Sequence, residues 1–329
     1  MPLALRRLGN SLGGPIRYLK RRRPLWSRRD PATDGDSRTH SIQDVRGTGD
    51  SAIPGNGSAD TPALTWSDDR IAFCRRLWGD DAEDTSIEPG GSAYYRELLQ
   101  AAAISSSKVT LDLSASLGGG LRHMADKLNL WMTGMEADPE LAKRAMALSV
   151  KQKLAKKAPV SNYDPAKLDL PKNKYHAVIM RERLHRVASK ADMLKTIQAS
   201  LKADGYFVLT DFALPNESAR TAKSVTSWLD LQNDPITLWT TEDYKQALSE
   251  LDFKPSIFQD ESAQYRALIL RGWARLVGGL ERPELSRAFV DTMMREATYW
   301  VRLERALARG ELIYLHTLCV ARKPKPEPA

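Results

Sequence analysis

Cysteine is scarce. The 329 residues hold two, Cys74 and Cys319, far apart in the chain. That excludes a disulfide framework and a cysteine-built zinc cluster, and makes the reducing cytoplasm the default compartment. His, Cys and acidic residues nowhere cluster at the spacing of metal ligands. Long apolar runs are missing as well, and none approaches the roughly 20 residues that a membrane-crossing helix requires. The amino-terminal region has no apolar core of about 7–15 residues, which sets aside a secretory signal.

Acid is absent from residues 1–29, where nine basic residues lie: Arg6, Arg7, Arg17, Lys20, Arg21, Arg22, Arg23, Arg28 and Arg29. The net charge is +8, so the remaining residues sum to −1. The protein is a near-neutral globule with a basic arm, and its high isoelectric point is no case for nucleic-acid binding. Three readings of the arm stay open: a solvated tail, an arm on anionic lipid headgroups, and an Arg-rich, acid-free transit-type segment. Residues 30–65 are rich in Gly, Ser, Thr, Asp and Pro. Such a stretch has little apolar surface to offset ordering entropy, so 1–65 is expected to be a disordered arm and linker. The Pro-rich tail 323–329 is read the same way.

What is there centres on residues 109–138. An apolar run, Val109 to Leu113 with Asp112 inside it, stops at small residues, and Gly118, Gly119 and Gly120 follow. A helical pattern runs through Leu121, Met124, Ala125 and Leu128, and a second strand, Trp131 to Met135, ends on Glu136. Strand, tight loop, helix, strand and acid make a unit that lays a nucleoside across the ends of parallel strands. Small loop residues let backbone approach a ligand, and a carboxylate after the second strand can accept both hydroxyl hydrogens of a ribose. Asp112, inside the first strand, suits a cofactor with an amino group better than one with a pyrophosphate.

This stretch resembles motifs I and II of the class I S-adenosylmethionine-dependent methyltransferases. The family pattern is acidic-x-Gly-x-Gly-x-Gly, whereas this chain reads Asp112-Leu113-Ser114-Ala115-Ser116-Leu117-Gly118. Two glycines are serines, each costing on the order of 1–2 kcal/mol wherever the position demands positive φ. The resemblance implies a three-layer, Rossmann-like α/β domain over about residues 66–322. It would have seven strands, mostly parallel, the last antiparallel. The cofactor would be S-adenosyl-L-methionine, held by Asp112, Ser114, Ser116, Gly118, Glu136 and, by position, Asp164. A turn role for Asp164 before Pro165 is the other reading.

The rest of the chain fits that frame. Ser67 is expected to cap a helix through about Leu77, and Ser92 one that follows the Pro89-Gly90-Gly91 turn and reaches about Ile104. Tyr94, Tyr95 and Leu98 either fold over the cofactor or pack on the sheet. Asp138 and Pro139 start a helix well. Tyr175 to Met180 reads as a buried strand, with His176 where the family usually has Asp. Leu184-His185-Arg186-Val187 resembles the Leu-His-His-Val signature of the ubiquinone-biosynthesis type of small-molecule methyltransferase, which makes His185 the preferred catalytic histidine. A packing role is its alternative, and Tyr163 and Asp211 are further base candidates. Ser189 and Asp192 suggest a capping box, and a Leu-Lys-x-x-Gly turn precedes a strand at Tyr206 to Phe212. Thr241 is expected to cap the helix after a long insertion, 213–240, and two helices fill 262–309. These two regions are read as substrate or cap additions.

Two functions follow. The first is a methyltransferase acting on a small-molecule or lipid-linked acceptor. The second is a catalytically inactive methyltransferase-fold scaffold or adaptor whose serines have weakened cofactor binding. A nicotinamide dehydrogenase fits less well, because the loop lacks the arrangement that contacts phosphates.

Overall fold

The computed structural model of the chain describes residues 65–79, 85–102, 104–232, 234–281 and 286–322. Residues 1–64 of the arm and linker, Pro283 and the Pro-rich tail lie outside the described residues. Seven strands form one sheet in the order β3-β2-β1-β4-β5-β7-β6. They are β1 (Thr110–Asp112), β2 (Met132–Glu136), β3 (Val160–Asn162), β4 (Tyr175–Arg181), β5 (Leu201–Ala213), β6 (Phe253–Asp260) and β7 (Ile313–Ala321). The first five run parallel, and β7 is antiparallel to both β5 and β6. The expected seven-stranded α/β sheet with an antiparallel closing strand is therefore observed.

Burial explains why the middle strands read as continuous apolar runs. Every residue of β1 is buried, and Ala177 to Met180 of β4 have no exposed surface. A parallel sheet of this kind is covered on both faces. One core holds Leu111, Val178, Leu194 and Phe207, and another, across the sheet, holds Leu121, Met132, Ile179 and Val208. A third core gathers Phe73 and Trp78 of helix α1 (Asp68–Trp78), Tyr265 of α8 (Ser262–Gly278) and Trp300 of α9 (Arg287–Ala308). It packs them beside Phe212, Trp228 and Tyr314.

Chain order reverses between β1 and β4, which are adjacent although β2 and β3 intervene in sequence. Beyond the carboxyl ends of two such strands the connections diverge and leave a crevice. Segment 85–90 and helix α2 (Gly91–Gln100) lie against this end. A Cβ on Gly120 would sit 2.5 Å from the Tyr95 ring, and one on Gly119 would sit 2.5 Å from the Ser86 backbone nitrogen. Arg122 of α3 (Gly119–Lys127), 2% exposed, ties segment and loop together by donating to Thr85 Oγ1 and the Leu117 carbonyl, both at 2.6 Å.

Some local expectations fail. Helix α2 ends at Gln100, and its cap is Gly90 at φ +82, because Ser92 is buried in the first turn with its hydroxyl on Ser86. Ser189 precedes α5 (Lys190–Ser200) without a side-chain bond, so the capping box with Asp192 does not form. Thr240, not Thr241, caps α7 (Thr241–Glu250), in a full capping box with Asp243. Strand β5 begins at Leu201, and the expected turn at 202–205 is a bulge within it, with Asp204 at φ +57. Ser67 and Asp138 cap α1 and α4 (Pro139–Lys151) as expected.

Replacing Gly120 by Ala puts a methyl group into the Tyr95 ring. The expected cost is about 1–3 kcal/mol of unfolding free energy in a denaturant titration. An unchanged midpoint would show that α2 does not close on the loop as described.

Candidate functional site

Two buried carboxylates mark the crevice. Asp112 ends β1 with no exposed surface. Its Oδ1 accepts from the Ser114 backbone N–H and from the Ser114 hydroxyl, each at 2.8 Å, and its Oδ2 accepts from the Tyr95 hydroxyl at 2.7 Å. Burial pushes its pKa above the ordinary carboxylate value, against these three bonds. The Ser114 oxygen in turn accepts from the Arg181 backbone N–H at 2.7 Å, stitching the loop after β1 to the end of β4. Glu136, also without exposed surface, ends β2. Its Oε2 accepts from the Ser116 N–H at 2.8 Å. Its Oε1 accepts from the Asp138 N–H at 2.9 Å and from Arg183 Nη2 at 2.7 Å. A carboxylate oxygen has two lone pairs. By that count Asp112 keeps one acceptor position on Oδ2, and Glu136 keeps one on Oε2.

The loop adopts the geometry its glycine pattern implies, at one serine only. Ser116 has φ +51 and Gly118 φ +77, while Ser114 is not in the left-handed region. Ser116 therefore bears the strain and Ser114 does not.

Three charged residues leave β4 in succession, and each meets a different element. Arg181 lies over the rings of Tyr94 and Tyr95, 5.7 and 5.6 Å from their centroids. Glu182, at φ +50, accepts from the Tyr314 hydroxyl at 3.0 Å, and burial raises its pKa against the pull of Arg181. Arg183 reaches back to Glu136. Glu88, from the segment before α2, places its carboxyl beside Ser116, Arg181 and Glu182, and burial pushes it up to about 7. Ser116 and Glu182, two non-glycine residues at positive φ, stand at the two strand ends that meet at the reversal. Such strain concentrates at functional sites.

His185 and Asp211, separate candidates in the sequence, are brought together. The short helical turn 184–186 sets His185 Nδ1 in contact with Asp211 Oδ1 of β5, and Tyr244 donates its hydroxyl to Asp211 Oδ2 at 2.6 Å. The imidazole is 1% exposed, with the Phe212 ring 5.4 Å away and Trp228 at 6.3 Å. Burial holds its pKa below the ordinary histidine value despite Asp211, so it is neutral at pH 7. Its Nε2 is enclosed and without a partner. Tyr163 donates to the Leu113 carbonyl at 2.8 Å, and burial pushes its pKa up, so it is a fixed donor rather than a base. Asp164 is exposed, caps the turn at Pro165 through the Ala166 N–H at 2.9 Å, and stands outside this cluster.

Sequence reasoning missed Glu88, Arg181, Glu182 and Arg183. The available signal was the run Arg-Glu-Arg directly after an apolar strand, at the strand end nearest the reversal. Among the described residues no group of His, Cys, Asp and Glu is arranged to hold a metal ion, and no helix is long and apolar enough to cross a membrane.

Glu88 gives a pH signature. A carboxyl raised from 4.5 to about 7 contributes stability that is complete below about 4.5 and lost as pH climbs through about 7. Glu88→Gln should flatten the fall in melting temperature between about pH 5 and about pH 8. An equally steep fall in the variant would place the titrating group elsewhere.

A family model described as a methyltransferase domain matches residues 90–255. No curated protein matches. Among solved structures, the chain resembles phosphoethanolamine N-methyltransferase 2 of Haemonchus contortus in complex with S-adenosyl-L-methionine. The TM-score is 0.67 at 16% identity, over 77% of this chain and 57% of that one. It resembles a putative sarcosine dimethylglycine methyltransferase of Galdieria sulphuraria at TM-score 0.58 and 14% identity, over 78% and 98% of the two chains. It also resembles geranyl diphosphate C-methyltransferase of Streptomyces coelicolor at TM-score 0.55 and 13% identity, over 70% and 76%. These identities speak for the fold alone, and the chain spans little more than half of the Haemonchus contortus enzyme. The family match spans half of the sequence and includes both Asp112 and Glu136, and the chain accordingly belongs to the methyltransferase-domain family.

Proposed function

We propose that the protein is an S-adenosylmethionine-dependent methyltransferase acting on a small-molecule acceptor. The observation that carries this reading is the pair of buried carboxylates, Asp112 and Glu136, each at the end of a parallel strand beside the reversal and each with an acceptor position left. An ammonium group suits the remaining lone pair of Asp112, and a ribose hydroxyl suits that of Glu136. Ser116 and Gly118, both at positive φ, hold the loop between them. When bound, the cofactor supplies an electrophilic methyl group on a sulfonium.

The chain's own residues would contribute placement and proton control. Enclosure by α2 and segment 85–90 would exclude water, and fixed geometry alone can supply a large share of the rate. His185 is a neutral imidazole whose Nδ1 is committed to Asp211 and whose Nε2 lone pair is available to take a proton from the acceptor. Tyr244 steadies Asp211, which in turn fixes the tautomer.

A specific observation favours the scaffold reading as second. Arg183 already occupies Glu136 Oε1, and a ribose using both carboxylate oxygens must displace it. Breaking a buried ion pair is costly. The catalytic reading requires that the two ribose bonds outweigh it.

Calorimetric titration with S-adenosylmethionine and S-adenosylhomocysteine separates these readings. Micromolar binding is expected, weakened at least roughly tenfold by Glu136→Ala through the loss of two hydrogen bonds. Arg183→Gln should tighten binding severalfold while lowering the melting temperature of the free protein. Ser114→Gly with Ser116→Gly should leave binding unimproved if the serines belong to the site. Restoration of binding by the glycines, with none in the native chain, would favour the scaffold.

A further inference from the structure

The Nε and Nη2 atoms of Arg181 form one edge of its guanidinium, a fork of two parallel donors that matches a carboxylate or phosphate. Both atoms are enclosed, and neither has a hydrogen-bond partner in the protein. The fork is held rather than loose. Tyr94 and Tyr95 present their rings to it, and its own backbone N–H is fixed on Ser114 Oγ. Two acids, Glu182 and Glu88, face it and offset its charge, but their hydrogen bonds go elsewhere: Glu182 takes the Tyr314 hydroxyl at 3.0 Å, and Glu88 takes the Ile87 N–H at 3.2 Å and the Ser116 hydroxyl. An enclosed donor left unmade is costly, and two on one edge call for a single ligand with two oxygens.

Building on the methyltransferase reading above, we propose that Arg181 receives a carboxylate or phosphate group of the methyl acceptor, so that the acceptor is an anion. Its place in the sheet separates it from the ribose carboxylate. Glu136 ends β2, on one side of β1, whereas Arg181 ends β4 and adjoins Tyr314 of β7, on the other side. His185 also follows β4, and its partner Asp211 lies on β5, so the base and the anion fork share one half of the crevice. An acceptor gripped by Arg181 at one end is thereby tethered on the side of the crevice that carries the base.

Glu88 tunes the grip. Protonated, it adds a donor and removes a competing charge; ionised, it opposes an anion. The groups facing it are Cys74 from α1, Tyr95 from α2, Ser116 from the loop, and Arg181, Glu182 and Arg183 from the end of β4. With its carboxyl at about 7, anion binding should weaken as pH rises through neutrality.

The test uses the full chain with sulfate and acetate as probes, since neither changes charge between about pH 6 and about pH 8. Binding is read by calorimetry with and without saturating S-adenosylhomocysteine. The expected result is binding of both probes alongside the nucleoside, weaker at the higher pH. Arg181→Gln should reduce it roughly tenfold or more, and Arg181→Lys, which keeps the charge and loses the fork, should retain part of it. Neither variant should alter S-adenosylhomocysteine binding more than about twofold. The proposal is overturned if sulfate competes with S-adenosylhomocysteine and Arg181→Gln weakens that ligand but not 5′-methylthioadenosine. The fork then holds the cofactor's own carboxylate. It is overturned equally if neither variant changes probe binding, or if the native chain shows no probe binding or no pH dependence, results that do not rely on a variant folding. Failure of S-adenosylhomocysteine to bind any form, with sulfate still dependent on Arg181, would instead remove the methyl-transfer reading and the word acceptor, and leave an anion site.

Discussion

The carboxylate of Glu136 is where the loops of this fold are joined. One side chain, without solvent contact, accepts from the glycine-pattern loop through Ser116, from the head of α4 through Asp138, and from the exit of β4 through Arg183. A buried acid is tolerated only when its oxygens are this well supplied with donors. The three connections that must converge for a ligand to span the strand ends are thus fixed by one group. Asp112 does the same on a smaller scale, gathering Tyr95 of α2 and both donors of Ser114. Helix α2 and the loop are thereby tied to the sheet through the same carboxylates that would meet a cofactor.

The cluster around these two acids is unusually rich in charge for an enclosed place. Arg181, Glu182 and Arg183 leave one strand in succession and diverge to tyrosines, to β7 and to β2. The arrangement sorts the groups by task. Glu136 and Arg183 balance each other, Glu182 is supported by Tyr314, and Glu88 titrates near neutrality because burial dominates its surroundings. Next to it along the sheet, where β5 follows β4, His185, Asp211 and Tyr244 form a separate hydrogen-bonded line whose histidine stays neutral. Neighbouring titratable groups held in different protonation states would allow one pocket both to bind charge and to move a proton.

Much of the fold was legible in the sequence because its signals are local. Apolar strand runs, the glycine run after Leu117 and Asp138-Pro139 each dictate a nearby structure from nearby residues. Glu136 could be located because it closes such a local unit. Its partner could not, since Arg183 lies 47 residues away and is brought near only by the adjacency of β1, β2 and β4. His185 and Asp211 were each legible as bases, but their pairing needs β4 and β5 side by side. Caps were less secure: Ser92 has the right chemistry two positions past the cap, and Ser189 stands at the cap position without making the side-chain bond. Glu88 gave no signal at all, because its character comes from enclosure by residues distant in sequence.

The most direct test of the account is a crystal structure with S-adenosylhomocysteine. The account predicts the ribose hydroxyls within hydrogen-bond distance of Glu136, the amino group beside Asp112, and Arg183 moved off Glu136 Oε1. A ligand lodged elsewhere, or a crevice still closed by the Arg183–Glu136 pair in crystals grown at saturating ligand, would contradict it.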